Sequence, residues 1–209
     1  TVTNNAATAG VAFSITGGAG NDNLAGSSGN DTLVGGAGND TLVAGAGTDS
    51  LSGGDCNDTF TMLANLDSAD VIVGGAGTDT ITVSNTSGAA ISDNFFTKVS
   101  GVETLTLGGT ATATLGTAAQ ASGVVTVNMY AGAQLSATAY TVGLTVNASS
   151  GAETITTGSG NDTIAFANNL ALDTTDVVNG GSGTDTISLA SGTFGSASLS
   201  MDGITNIEQ

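Results

Sequence analysis

Histidine, proline and tryptophan are absent from this chain, and Lys98 is its only basic side chain. Each absence closes a class of function. Without histidine, and with one lysine, nucleophilic triads, zinc hydrolysis and phosphoryl transfer lack their parts. Nucleic-acid binding draws on lysine and arginine to neutralise phosphates, and a formal charge of −17 at pH 7 opposes it. The same balance leaves no basic patch for anionic lipid. Cys56 stands alone, which excludes an intrachain disulfide and a thiolate zinc cluster. No run approaches the roughly 20 apolar residues of a membrane span. No secretory signal with a basic leader opens the chain at Thr1. The expectation is an internal piece of a longer protein, or export through a signal elsewhere in the parent. Glycine is plentiful, at 33 of 209 residues, yet without proline it fits neither collagen nor a proline-rich linker. A mean hydropathy of +0.24 argues against disorder.

What is present is a repeat. Residues 17–61 read as five consecutive nine-residue units, GGAGNDNLA, GSSGNDTLV, GGAGNDTLV, AGAGTDSLS and GGDCNDTFT. Aspartate holds the sixth position at Asp22, Asp31, Asp40, Asp49 and Asp58, and a large apolar residue the eighth at Leu24, Leu33, Leu42, Leu51 and Phe60. Nine residues are too few for a solenoid turn. The reading is therefore a six-residue loop and a three-residue strand per repeat, two repeats per coil, and repeat i stacked on repeat i+2. Parallel strands stack at roughly 4.8 Å, with the eighth side chain pointing inward as an apolar ladder. Stacking pairs Asp22 with Asp40, Asp31 with Asp49, and Asp40 with Asp58. A twelve-residue unit, MLANLDSADVIV, then returns to phase at Asp70, and GGAGTDTIT restores the pattern at Asp79. Those two extend the pairing to Asp49 with Asp70 and Asp58 with Asp79.

Residues 83–147 lose the glycine loops, but an apolar ladder continues at Leu105, Leu115, Val125, Leu135, Leu144, Ile155 and Ile164, in steps of 10, 10, 10, 9, 11 and 9 residues. Its near-constant period predicts further coils of the same solenoid without metal; a separate β-sandwich is the alternative. Phe95 and Phe96 are expected to plug the core, and Lys98 to be solvated or paired with Glu103. The motif returns with Glu153 and Asp162 at position six, then an insertion, then Asp176 and Asp185. The order Asp58, Asp70, Asp79, Glu103 recurs as Asp162, Asp176, Asp185, Glu208, at offsets of 104, 106, 106 and 105 residues. This is a duplication, and the second copy stops at Gln209, as expected of a fragment.

The loops at 17–82 and 148–188 resemble the RTX (repeats-in-toxin) nonapeptide family, whose G-G-x-G-x-D-x-U-x repeat forms a calcium-binding parallel β-helix. The arrangement NDTF, insertion, GGAGTDT and then SGVETLTL, with Ala/Thr/Val-rich coils between, resembles bacterial surface-layer proteins built from such repeats. The resemblance implies an all-β parallel β-roll that binds several Ca2+ ions and continues into metal-free coils. Calcium takes about six to eight oxygens at roughly 2.3–2.6 Å, and glycine lets carbonyls approach an ion without a Cβ in the way. The ligands it implies are Asp22, Asp31, Asp40, Asp49, Asp58, Asp70, Asp79, Asp162, Asp176 and Asp185, with loop oxygens of Gly18, Gly20, Gly36 and Gly38. It further implies secretion by a type I system, an extracellular, cell-surface location, a two-dimensional homo-oligomeric lattice, and a polysaccharide anchor through regions outside this chain. A non-catalytic folding module of a secreted enzyme or adhesin is the alternative. Position three (Ala19, Ser28, Ala37, Ala46, Asp55) lacks the threonine array of an ice binder.

The expected layout is a cap strand at 1–16 with a flexible beginning, a calcium roll at 17–82, metal-poor coils at 83–147, and at 148–209 a truncated copy of 50–103. Two positions depart from the repeat. Ala44 replaces a first glycine, and Cys56 a fourth glycine where φ > 0 is expected, which predicts strain and a distorted loop. An intermolecular bridge and an introduced labelling position both remain open for that thiol.

Overall fold

Runs of three or four residues that alternate an inward apolar side chain with threonine or serine form strands here, because period two places one set on the core face. A computed structural model describes residues 10–63, 65–85, 90–167, 172–190 and 203–208; the beginning of the expected cap strand lies outside them. The chain divides into two units, one assembled from Thr1–Ser84, Asn94–Leu105 and Ala121–Val124, the other from Asn85–Asp93, Thr106–Gln120 and Val125–Gln209.

The first unit contains β1 (Ser14–Ala19), β2 (Asn23–Ala25), β3 (Thr32–Ala37), β4 (Thr41–Val43), β5 (Ser50–Asp55), β6 (Thr59–Thr61), β7 (Val71–Ala76) and β8 (Thr80–Asn85). After β9 (Ala90–Ser92), which belongs to the other unit, comes β10 (Val99–Ser100). The odd strands β1-β3-β5-β7, continued by β10, build one parallel sheet, and the even strands β2-β4-β6-β8 line up in another. Each coil thus spends one repeat per sheet, as the spacing predicts. Leu24, Leu42, Phe60 and Ile81 stack in register on one side, and Ile15, Leu33, Leu51, Ile72 and Val99 on the other.

The strands are not all three residues long. In β1, β3, β5 and β7 pairing runs on through the following glycines, joining Gly18, Gly36, Gly54 and Gly75. These glycines lie at φ 122, 116, 120 and 114°. At Gly36 a Cβ would meet the carbonyl oxygen of Gly18, so the stacked glycine pair packs backbone on backbone. Cys56 adopts φ 77°, a left-handed conformation that costs a non-glycine residue about 1–2 kcal/mol. Its loop is not distorted, contrary to the expectation. Gly54 stays paired with Gly75, and the Asp58 N–H still reaches Asp79 Oδ1 at 2.7 Å. Neighbouring coils on both sides impose the geometry.

In the second unit the Thr106–Gly109 part of β11 (Thr104–Gly109), β13 (Thr126–Met129), β15 (Thr145–Ala148), β17 (Thr163–Phe166) and β19 (Thr186–Leu189) form one sheet. The other sheet holds β9, β12 (Thr112–Thr114), β14 (Gln134–Ser136), β16 (Thr154–Thr156), β18 (Val177–Asn179) and β20 (Ile204–Thr205). Parallel pairing throughout this sheet, from β9 through β12, β14, β16 and β18 to β20, identifies solenoid coils and overturns the sandwich alternative. Val125 and Leu144 both fall outside the expected ladder: Val127, Val146 and Ile164 pair in register, Val125 is 43% exposed, and Leu144 is buried but precedes its strand. Pairing of Thr126 with Thr145 sets the register, so Val125 falls just before the strand. Phe96 is buried as a plug, in a short 3-10 turn at Asp93–Phe96. Lys98 is exposed, and its Nζ donates to the Ala69 carbonyl at 3.3 Å.

Coils without calcium loops turn their corners by other means. The Asp93 carboxylate accepts N–H groups of Gly116, Ala118 and Ala119 at 2.7, 3.1 and 2.8 Å. It thereby caps a short helix, Thr117–Ser122, that the period did not reveal. The ladder carries the packing energy, so Leu42→Ala should cost about 2–5 kcal/mol. Val125→Ala should stay within about 0.5 kcal/mol. Chemical denaturation in saturating calcium measures both.

Candidate metal centre

The loops bring the position-six aspartates into stacked rows and bury them. Asp22, Asp40, Asp58 and Asp79 form one row of the first unit; Asp31, Asp49 and Asp70 form the other. Along the first row, each aspartate N–H donates to Oδ1 of the next: Asp22 to Asp40 at 2.8 Å, Asp40 to Asp58 at 2.8 Å, Asp58 to Asp79 at 2.7 Å. The second row repeats this, Asp31 to Asp49 at 2.8 Å and Asp49 to Asp70 at 2.9 Å. In the second unit Asp162 donates to Asp185 at 2.8 Å and Glu153 to Asp176 at 2.9 Å. All ten aspartates expected from the sequence are buried. Expected pairings, including Asp49 with Asp70 and Asp58 with Asp79, are present as direct contacts.

The second carboxylate oxygen separates the rows. Oδ2 of Asp40, Asp58, Asp79 and Asp185 is buried without a hydrogen-bond partner. Each points at the first glycine of its own loop, Gly35, Gly53, Gly74 or Gly180. A Cβ there would meet that oxygen together with a carbonyl from the next coil; for Gly53 the Gly74 oxygen would lie 2.6 Å away. In the other row the oxygen is taken at Asp31 and Asp70. Asp31 Oδ2 accepts from Ser27 N at 2.6 Å, and Asp70 Oδ2 from Asp67 N at 3.0 Å. Asp176 Oδ2 likewise accepts from Asp173 N at 2.8 Å. The sequence already contains the reason. Loops of the first row begin GG, whereas those of the second begin GS, AG or an insertion.

This geometry fits a hard cation. Buried, unpartnered carboxylate oxygens beside main-chain carbonyls make an oxygen-only donor set. Among the described residues no three acidic, cysteine or histidine side chains gather around one point. A cation held in these loops would have to draw much of its shell from carbonyls. Gly18, Gly20, Gly36 and Gly38 all have positive φ, at 122, 98, 116 and 113°, a conformation glycine adopts without steric cost.

A second set of residues escaped the sequence reading. The position-five asparagine accepts from the neighbouring coil in the opposite direction to the aspartate. Asn21 Oδ1 takes the Asn39 N–H at 2.9 Å, Asn39 takes that of Asn57 at 3.0 Å, and Asn57 that of Thr78 at 2.8 Å. Asn30 and Asn161 do the same for Thr48 and Thr184. The signal was the recurring Asn-Asp pair, which clasps the coil above with one side chain and the coil below with the other.

A family model of the RTX calcium-binding nonapeptide repeat (four copies) matches residues 16–51, 34–61, 66–84, 145–165 and 172–193, just over half of the chain. The chain belongs to the RTX calcium-binding nonapeptide-repeat family. Its ion is calcium, bound several times over by repeats of this kind, on an all-parallel β-solenoid. No curated protein matches the chain. The stretch 85–144, between matched segments, is where the glycine loops are missing.

Metal-free RTX coils carry strained titrations. Burial first, and neighbouring carboxylates in addition, push Asp49 and Asp58 up to about 6, against opposing N–H groups from Asp31 and Asp40. Burial likewise raises Asp40, Asp70, Asp79 and Asp162. Glu153 is raised by burial and then by Asp176. A folded-state pKa above the unfolded value gives stability that is present below about pH 4 and lost as pH rises through about 6. In EDTA the fold should therefore weaken between about pH 4 and pH 7, whereas in calcium the same rise should strengthen it, because ion and proton compete. Asp40→Asn keeps an acceptor for the Asp22 N–H but removes a charge. It should flatten the EDTA dependence and lower calcium-bound stability, both read by thermal melts.

Proposed function

We propose that this RTX chain is a structural segment of a secreted bacterial surface-layer protein, folded and locked by calcium once outside the cell. The observation that carries the reading is the buried Oδ2 of Asp40, Asp58 and Asp79, unpartnered in three successive coils. Asp22, Asp40, Asp58 and Asp79, with Asp162 and Asp185, would hold ions through carboxylate oxygens and loop carbonyls, including those of Gly18, Gly20, Gly36 and Gly38. Asp31, Asp49, Asp70 and Asp176 would contribute less, since the second oxygens of Asp31, Asp70 and Asp176 already accept backbone N–H groups.

The physical logic is linkage. Calcium binds the folded rows and not the extended chain, and each site held at about 100 times its dissociation constant adds about 2.7 kcal/mol. Low free calcium in the cytosol keeps the chain expanded for type I export, and millimolar calcium outside folds it. The composition supports a structural role, with no histidine and a single lysine for catalysis. Among the described residues no helix is long and apolar enough to cross a membrane. Lattice assembly and a polysaccharide anchor would then belong to the parent protein, through copies of itself and through regions outside this chain. Electron microscopy of that parent should show two-dimensional sheets in millimolar calcium and none after EDTA. Dispersed particles in both conditions, with a catalytic domain upstream, would instead identify a folding module of a secreted enzyme.

A further inference from the structure

Two glutamates stand where the calcium rows end, and neither occupies a nonapeptide. Backbone register defines their place. Val99 pairs with Ile72 and Ser100 with Val73, so Gly101 falls beside Gly74, the first glycine of the preceding loop. Thr104 N–H donates to the Asp79 carbonyl at 3.0 Å, just as Thr80 N–H donates to that of Asp58 at 2.9 Å. Glu103 therefore holds position six. A full loop places four residues between its first glycine and its acid, as in Gly74 to Asp79, whereas Gly101 and Glu103 have only Val102 between them.

The extra methylene of glutamate makes up for the shortened loop. Asp79 N–H donates to Glu103 Oε2 at 2.8 Å, matching the Asp58 N–H to Asp79 Oδ1 at 2.7 Å. The carbonyl of Gly101 lies where a Cβ on Gly74 would be, with Asp79 Oδ2 2.5 Å from the same point. That is the cradle of the full loops, and its orphan oxygen is carried by a carboxylate that is 0% exposed.

The second copy repeats the construction. Val178 pairs with Ile204 and Asn179 with Thr205, setting Asn206 beside Gly180. Asp185 N–H donates to Glu208 Oε2 at 2.8 Å. The Asn206 carbonyl occupies the Gly180 side-chain space, 0% exposed Asp185 keeps an orphan Oδ2, and that oxygen would lie 2.6 Å from the added Cβ. Gly101 and Asn206 share a left-handed conformation, at φ 62 and 54°, which asparagine tolerates better than most residues.

We infer that Glu103 and Glu208 are calcium ligands, each completing a terminal site with Asp79 or Asp185 through a three-residue Gly/Asn-x-Glu turn. The inference rests on the calcium reading of the rows and extends it to loops outside the repeat. The turn ends a row with charge and carbonyl supplied, while freeing the chain to continue into coils without metal.

Equilibrium dialysis of the full chain with 45Ca counts the sites. Glu103→Gln keeps an oxygen that accepts the Asp79 N–H, so a purely structural cap survives it. The expected result is one fewer calcium per chain, or one site weakened at least tenfold. Glu208→Gln should act independently at the other copy, and the double substitution should lose two. Glu103→Asp, which keeps the charge but withdraws it, should also lose the site. Unchanged stoichiometry and affinity in both glutamine variants would overturn the inference while leaving the calcium rows intact. Absence of calcium binding by the unsubstituted chain would overturn the calcium reading itself, and this inference with it.

Discussion

One constraint governs the calcium-loop coils: each brings a carboxylate into a buried position directly over the carboxylate of the next coil. One oxygen is spoken for, because it accepts the N–H of an aspartate one coil away. The other, at Asp40, Asp58 and Asp79, faces a carbonyl and no donor. Burial raises the cost of charge there, so the metal-free coil is folded against its own electrostatics. In the proposed role, calcium would convert the same arrangement from repulsion to cohesion. Hydrogen bonds between aspartate and backbone set the register, and the ion supplies the sign.

Around that constraint the chain varies its means. Where an Asn-Asp pair is present it binds its loop to both neighbours, so the loop with the strained Cys56 still stacks. Where acids become scarce, the corner is closed by direct hydrogen bonds. Asp93 spends its carboxylate on three N–H groups, and Gln120 pairs with Thr141 through its amide. The insertions before Asp70 and Asp176 likewise point a backbone N–H, of Asp67 or Asp173, at the oxygen that a glycine-pair loop leaves orphaned. Calcium-requiring and self-satisfied corners thus share one strand geometry.

Much of this was legible in the sequence because a nine-residue period fixes two things at once, the inward apolar residue and the loop acid. Leu24, Leu33, Leu42, Leu51 and Phe60 could be placed inside, and Asp22 over Asp40, without coordinates. Other features depend on register, which spacing constrains only to within a residue. Val125 looked like part of a strand because it precedes threonine and valine, yet cross-strand pairing begins one residue later. The helix at Thr117–Ser122 is capped by Asp93, more than twenty residues away in sequence, so no local signal announced it. The difference between rows was written in the first two positions of alternate loops. It becomes visible only when odd and even repeats are assigned to opposite sheets.

The most direct test of calcium-driven folding is far-ultraviolet circular dichroism of the chain during a calcium titration at neutral pH, begun in EDTA. The account predicts a disordered spectrum that converts cooperatively to a β spectrum as calcium approaches millimolar, reversed by chelation. A β spectrum already complete in EDTA and unmoved by calcium would contradict it.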